Sequence, residues 1–421
     1  MNPILPPHHL IPDGEAHRFS DGRLYLYGSS DVRGSTTWCS RRYRVFSSAD
    51  LLDWKDHGVS FKSADSHAGR DAFLYAPDCM EYGGKYYLAY CTAGDREGMA
   101  TSDSPSGPFH GARPLEGADG DAIDPALFVD EDQTIYYFWG QYHLRGARLN
   151  LDMRAIDPSS LQTDLLVEKK DGFHEGASVR KCKGWYYLVF ADISRGKPTS
   201  LGYAMSRHPL GPYEKKGIII DNEGCDPETW NNHGSIEEFN SRWYVFYHRA
   251  CQGGRFTRRA CIEPIFFNSD GTISEVEMTT QGCSGPLPAT TLVEGWRACL
   301  LAGTVRTAVT DESDPLSGEH LSRIENGAWA AFKFINFDSA PVSEFCVRAA
   351  SASAGGTIKV RLDGPEGPVI AQCEIPGTGA WCNWTESRSP LLKTPSGVHA
   401  LYLTFEGGPG RLFDLLDFDF E

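Results

Sequence analysis

Five aromatic, strand-like runs recur along the first 250 residues: GRLYLYGSS (22–30), GGKYYLAYCTA (83–93), QTIYYFWGQ (133–141), KGWYYLVFAD (183–192) and SRWYVFYHRA (241–250). Aromatic and β-branched content bounded by Gly, Asp and Ser predicts strands. Aligned on Tyr25, Tyr87, Tyr136, Tyr187 and Tyr244, the runs stand 62, 49, 51 and 57 residues apart. That repeat is close to one four-stranded propeller blade of about 40–50 residues plus loops. Between the runs, RYRVFSSADLLDWKDHG (42–58), LGYAMSRHPLGPYEKKG (201–217) and ACIEPIFFNSDGTISEV (260–276) supply further short strands and tight turns. The expected fold class is all-β, with a five-bladed β-propeller over residues 1–285.

The rhythm changes after CSGPLPAT (283–290), a Pro/Gly/Ser segment that reads as a linker. From residue 292 to 421, IENGAWAAFKFINF (324–337), SEFCVRAASASAGGTIKVRLDG (343–364), GPVIAQCEIP (367–376) and GVHALYLTFEGG (397–408) alternate apolar and polar positions between Gly-rich turns. That pattern predicts a β-sandwich of the jelly-roll type. The acidic stretch DESDPLSGEH (311–320) reads as a solvated loop.

Composition narrows the function classes. The 421 residues include 44 Gly and 25 Pro and carry a formal net charge of −16 without a basic stripe, which excludes nucleic acid as a partner. No run approaches 18 apolar residues, so no membrane span is expected, and the N-terminus shows no basic region followed by an apolar stretch. The twelve cysteines are scattered without a CxxC pair and read as free thiols of a reducing compartment. The expectation is a cytoplasmic protein as the sequence stands, or a secreted or periplasmic one whose signal peptide has been removed. The sequence carries no signal for oligomeric state.

The repeat register also picks out candidate chemistry. Asp13, Asp124 and Glu175 each lie 12 residues before their anchor tyrosine, His233 lies 11 before and Asp78 lies 9 before. Equivalent positions in successive blades converge on a propeller axis, so these side chains are expected at one end of one channel. Single aspartates before strands are ordinary turn formers, but turn duty does not require a shared register. Two carboxylates in one pocket can divide into acid and base when their surroundings push their pKa values apart, and glycoside hydrolysis needs that division. Glu175, in GFHEGASV (172–179), suits the acid; Asp13, in IPDGEAH (11–17), suits the base; Asp124, followed by Pro125, could adjust both as a third negative charge. No HExxH, GxSxG or P-loop pattern offers a rival chemistry. His233, in WNNHGSIEE (230–238), could hold a water or a water-mediated structural calcium, or equally make a turn hydrogen bond.

At these residues the chain resembles glycoside hydrolase family 43, five-bladed β-propellers that invert at the anomeric centre. The segments IPDGEAHRFSDGRLYLYGSSD (11–31), LYAPDCMEYGGKYYLAY (74–90), AIDPALFVDEDQTIYYFWG (122–140), FHEGASVRKCKGWYYLVFA (173–191) and NNHGSIEEFNSRWYVFYHR (231–249) are similar to the family's signatures in order. The resemblance implies Asp13 as general base, Asp124 as pKa-adjusting aspartate and Glu175 as general acid. It further implies substrate contacts from Tyr75, where many members have Trp, from Asp78 and His233, and from an arginine of RRACIEPIFFNSDG (258–271), taken as Arg259. No cofactor is required; a structural calcium is the one candidate ion. The C-terminal sandwich resembles the family 6 carbohydrate-binding module, which would place Trp381 and Trp329 as a paired sugar platform, with Asp414 where that family often has Asn. The implied function is an inverting hydrolase of plant cell-wall glycans or their oligosaccharides, an α-L-arabinofuranosidase or β-xylosidase. The alternatives are an exo-β-1,3-galactanase and, in a different class, a non-catalytic sugar-binding propeller, which has no use for three mutually repelling carboxylates.

Overall fold

Each of the five aromatic runs forms the second strand of its own antiparallel sheet. In the computed structural model, which describes residues 1–94, 97–120 and 122–421, blade I comprises Glu15–Arg18, Leu24–Gly28, Arg42–Ser48 and Trp54–Lys62. Blade II comprises Asp78–Tyr82, Lys85–Tyr90, Gly98–Ser102 and His110–Pro114, and blade III Ala126–Val129, Ile135–Trp139 and Arg145–Arg148. Blade IV comprises Phe173–Cys182, Trp185–Asp192, Ser200–Ser206 and Glu214–Asp221, and blade V Ser235–Phe239, Arg242–Cys251 and Gly254–Ile265. The second strands are apolar at nearly every position because both of their faces are covered. Leu24 and Leu26 pack toward blade V with Tyr244, Phe246 and Ile262, while Tyr25 and Tyr27 pack toward blade II with Leu88 and Tyr90.

The first strands of the blades contact one another in a ring, I to II, III, IV, V and back to I. Closure uses a parallel bridge between Gly14 and Gly234 and the N-terminal segment, which lies along the last strand of blade V. There the Asn2 amide exchanges hydrogen bonds of 2.9 Å with the backbone of Ile262, and Ile4 N–H donates to Ala260 O at 3.0 Å.

Mid-height in the channel, one guanidinium ties the inner strands together. Arg180 of blade IV donates at 2.7 Å to Glu15 of blade I and at 2.7 Å to Glu237 of blade V. His17 meets Asp78 of blade II at 2.6 Å, and the other Asp78 oxygen accepts the Leu127 N–H of blade III at 2.6 Å. All five blades therefore share one buried polar network. Burial, followed by the neighbouring Arg180 charge, pushes His17 down to about 4, so its ring is neutral. Nε2–H then donates to Asp78, and Nδ1 faces Arg180 Nη2 at 3.3 Å.

The C-terminal unit is a two-sheet sandwich. One sheet runs Leu287–Pro288, Trp329–Asn336, Val398–Glu406, Gly355–Leu362 and Val369–Pro376, with Leu300–Ala302 beside the second. The other runs Arg306–Val309, Glu319–Glu325, Arg411–Phe420, Glu344–Ala350 and Thr385–Pro390, with Val293–Glu294 on Arg411–Phe420. The strand Leu287–Pro288 falls inside the segment that reads as a linker, because its two residues pair in parallel with Ile335 and Asn336. No loose tether separates the units: Cys299, Ala331, Ala400 and Tyr402 of the sandwich share a core with Ile219, Tyr247 and Cys261 of blades IV and V. Arg259 of blade V forms a buried ion pair with Glu319 of the sandwich, and Gln252 adds a 2.6 Å hydrogen bond to the same carboxylate. All twelve cysteines are unpaired, and among the described residues no helix is long and apolar enough to cross a membrane.

Removing one partner of a buried pair leaves the other charged and desolvated, which costs about 3–5 kcal/mol. Glu319→Ala should therefore lower the melting temperature of the whole chain in a single calorimetric transition. Two separated transitions, with the propeller's unmoved, would contradict the shared interface.

Candidate active site

One end of the channel opens into a pocket of about 380 Å³ lined by Asp13, Trp38, Tyr75, Asp124, Glu175, Trp230, His233 and Arg258, among others. The 12-residue register is what gathers them. Asp13 and Asp124 sit just ahead of their inner strands with φ of 58° and 57°, a left-handed conformation that Asp tolerates because its short side chain bonds locally. The same register falls on Tyr75 in blade II, and Tyr75 lines the pocket. Glu175 is aimed differently. A bulge between Glu175 and Ser178 inserts an extra residue opposite blade IV's second strand, and Gly176 at its centre has φ of 71°. A Cβ on Gly176 would come within 2.8 Å of the His233 ring, so only glycine lets blade IV approach blade V this closely.

Asp13 is a fully engaged carboxylate. Arg258 Nη1 donates to it at 2.9 Å, Ser29 donates to its other oxygen, and His233 Nδ1 lies 3.8 Å away. Burial alone would raise its pKa, but Arg258, His233, His248 and the Ser29 hydroxyl outweigh it and hold the carboxyl below the usual range. Burial, then the Arg258 charge, pushes His248 down to about 3, so its ring is neutral. Its Nδ1 accepts the Asp13 N–H at 3.3 Å, and its Nε2 donates to Asn231 O at 3.0 Å.

Asp124 is the opposite case. It is buried between Glu175 and Asp13, and desolvation followed by those two negative charges raises its pKa well above the ordinary value. Asp124, which sequence reasoning casts as the carboxyl that adjusts its neighbours, is thus itself strongly influenced by them. Of Asp124 and Glu175, Glu175 is the more open to the pocket, where its Oε2 accepts from Gln141 Nε2 at 2.7 Å.

Three expected contacts fall elsewhere. Asp78 is buried in the channel network and does not line the pocket, because its offset of 9 places it three residues farther along the inner strand than Tyr75. Arg259 faces away from the sugar site and pairs with Glu319; successive strand side chains alternate, so Arg258 is the one that faces the pocket. Trp329 packs against Tyr402 at 5.4 Å beside the interdomain core, and it does not pair with Trp381. Trp381 instead carries the Arg411 guanidinium 3.9 Å above its ring. Asp414 is buried and bonded to that same arginine. Sequence reasoning missed Trp38, Gln141 and Trp230, which come from loops without repeat register. Trp230, 41% exposed at the rim, is the residue whose exposure suits sugar stacking.

The sequence model of Glycosyl hydrolases family 43 matches residues 1–273, and that of the Carbohydrate binding module (family 6) matches 299–421. The chain belongs to glycosyl hydrolases family 43. It is a glycoside hydrolase, all-β, with a propeller followed by a sandwich. A xylosidase/arabinosidase of Thermoclostridium stercorarium is 28% identical, over 97% of this chain and 96% of its own. The arabinoxylan arabinofuranohydrolase of Bacillus subtilis (strain 168) is 28% identical over 98% of this chain and 91% of its own, whereas a β-xylosidase of Xylanibacter ruminicola, 27% identical, covers 64% of this chain. The crystal structure of a family 43 arabinoxylan arabinofuranohydrolase from Bacillus subtilis in complex with cellotetraose superposes with a TM-score of 0.57 and 28% identity, covering 100% of this chain and 97% of that one.

A depressed carboxyl gives an activity profile a definite sign. If Asp13 must be ionised to work, activity falls as pH drops through its lowered pKa. Arg258→Gln removes the largest charge holding it down, so the acid limb of the kcat/KM profile should move to higher pH. An acid limb that stays in place would show that Asp13 is not the group being titrated.

Proposed function

We propose that the chain hydrolyses, with inversion, terminal or branch-linked pentosyl units of xylan-type glycans, with the α-L-arabinofuranosyl branch as the leading substrate. The observation that carries this reading is the division of surroundings in one pocket: Asp13 is engaged by Arg258 and Ser29, Asp124 is buried, and Glu175 is the more open carboxyl, bonded to Gln141. Asp13 acts as general base on a water, Glu175 gives its proton to the departing oxygen, and Asp124 adjusts Glu175 by its charge without transferring a proton itself. An inverting pair leaves room for the water between base and sugar, about 6.5–9.5 Å between carboxyls. Arg258 does not transfer a proton; it fixes the orientation and ionisation of Asp13. The pocket is closed below by Asp124, His233 and the channel network, which supports exo or debranching action in which one sugar unit enters. Of the relatives that match over both domains, two are named arabinoxylan arabinofuranohydrolase and one xylosidase/arabinosidase, which supports the arabinofuranosyl branch as leading substrate, with β-xylosidase next and galactanase behind both.

Both Asp13 oxygens are engaged by Arg258 and Ser29, so a calcium beside His233 would be held chiefly through waters, which count among its six to eight ligands. Deeper in the channel, Glu15, His17 and Asp78 stand close enough to ligate one ion, but the Arg180 guanidinium already supplies their positive charge. No step of the reaction needs a metal. The sandwich supports a weaker, separate role: Trp381, with one ring face under Arg411, would offer the other to a sugar. Twelve unpaired thiols support a reducing compartment.

Removing the acid and removing the base should differ in one ratio. Glu175→Ala should slow substrates with poor leaving groups by about 10²–10⁴ and largely spare an aryl glycoside with an acidic phenol. Asp13→Ala should slow both classes alike, since no leaving group replaces a missing nucleophile. Rates on the two classes for each variant decide the roles, and the reverse pattern would exchange them.

A further inference from the structure

A second groove of about 410 Å³ lies where the two domains meet, between the loop at Arg33–Ser35, the hairpin at Gln252–Gly254 and the sandwich residues Arg306, Ser322 and Arg323. It adjoins the catalytic pocket. Thr257 lines the groove and Arg258 the pocket, and the loop that brings Arg33 to the groove brings Trp38 to the pocket. Beside both, Trp38 meets Phe256 edge to face at 4.7 Å. Ser35 and Trp38 are three residues apart, a backbone reach of at most about 11 Å. The groove is firmly built: Gln252 N–H donates to Thr307 at 2.9 Å and its side chain to Glu319 at 2.6 Å.

Its charge is unlike that of the rest of the molecule. In a chain of net charge −16, this groove gathers three arginines against one carboxylate, the exposed Glu312. Arg306 is held under Gly253 near Asp226, whose pKa burial raises and the Arg306 charge partly offsets. Arg33 and Arg323 remain, and among the described residues neither forms an ion pair. Guanidinium groups present a planar fork of donors that matches a carboxylate in two places. Neutral xylose and arabinose offer no group that requires such a fork.

We infer that this interdomain groove binds a carboxylate-bearing sugar, a uronic acid unit carried on the same glycan whose neutral branch enters the catalytic pocket. The inference rests on the proposed action on branched xylan-type glycans and adds a second, acidic branch to what the enzyme recognises. It also gives the sandwich a share in substrate selection that does not depend on Trp381.

Calorimetric titration of the full-length Glu175→Ala protein, in which turnover of oligosaccharides is slowed by about 10²–10⁴, provides the test. The probes are a xylo-oligosaccharide bearing one glucuronic acid branch, the neutral oligosaccharide of equal length, and free glucuronate. At 0.15 M salt the acidic oligosaccharide should bind about five-fold more tightly than the neutral one, as two partly exposed ion pairs allow. The preference should shrink toward unity at about 1 M salt, and Arg33→Ala with Arg323→Ala should abolish it. That double substitution, placed in the otherwise intact enzyme, should leave turnover of a neutral aryl arabinofuranoside unchanged, which confirms that the fold is preserved. Equal affinity for the two oligosaccharides, or a preference that survives the double substitution, would overturn the proposal. Free glucuronate binding as tightly as the acidic oligosaccharide would overturn it too, by assigning the groove to small anions. If neutral aryl glycosides are not turned over at all, it is the proposed function that fails, and the affinity ratio still judges the groove separately.

Discussion

The arrangement depends on one buried guanidinium. Arg180 stands on the propeller axis and engages Glu15 and Glu237, while His17 and Asp78 extend the network to the remaining blades. A buried arginine is costly unless its donors are satisfied, and a satisfied one fixes geometry more than it adds stability. Here it fixes the relative height of all five inner strands. The residues one layer above, Asp13, Asp124, Glu175 and His233, inherit their separation from that registration. Burial raises the pKa of Glu15 and pushes Asp78 up to about 7, so the network tolerates several carboxyls around one cation.

The layered channel explains how much of the site was legible. A shared offset of 12 residues locates Asp13, Asp124 and Glu175 because each blade repeats the same path from axis to second strand. The rule held farther than it was applied, since Tyr75 obeys it in blade II. Asp78, three residues later, belongs to the structural layer below; its offset of 9 marked that difference. What could not be read has a physical reason in each case. Phe256 to Ile265 is buried or half-buried throughout, so alternation gave no sign that Arg258 rather than Arg259 faces the axis. Trp38 and Trp230 lie on loops whose paths depend on neighbouring blades. Trp329 has the composition of a sugar platform, but its strand lies against the propeller.

That last misreading points to the relation between the domains. Sequence suggests a catalytic unit, a linker and a binding module. The folded chain instead runs a hydrophobic core across the junction and joins adjacent residues of one strand to different tasks: Arg258 holds Asp13, and Arg259 holds the sandwich. Displacing the sandwich would therefore disturb the strand that orients Asp13.

The central claim is that Asp13 activates a water while Glu175, adjusted by Asp124, protonates the leaving oxygen in a single displacement. Proton NMR of the first sugar released from an aryl α-L-arabinofuranoside, read before mutarotation, reports that event directly. The account predicts the β-anomer as the initial product; initial formation of the α-anomer would mean a covalent intermediate and would contradict it.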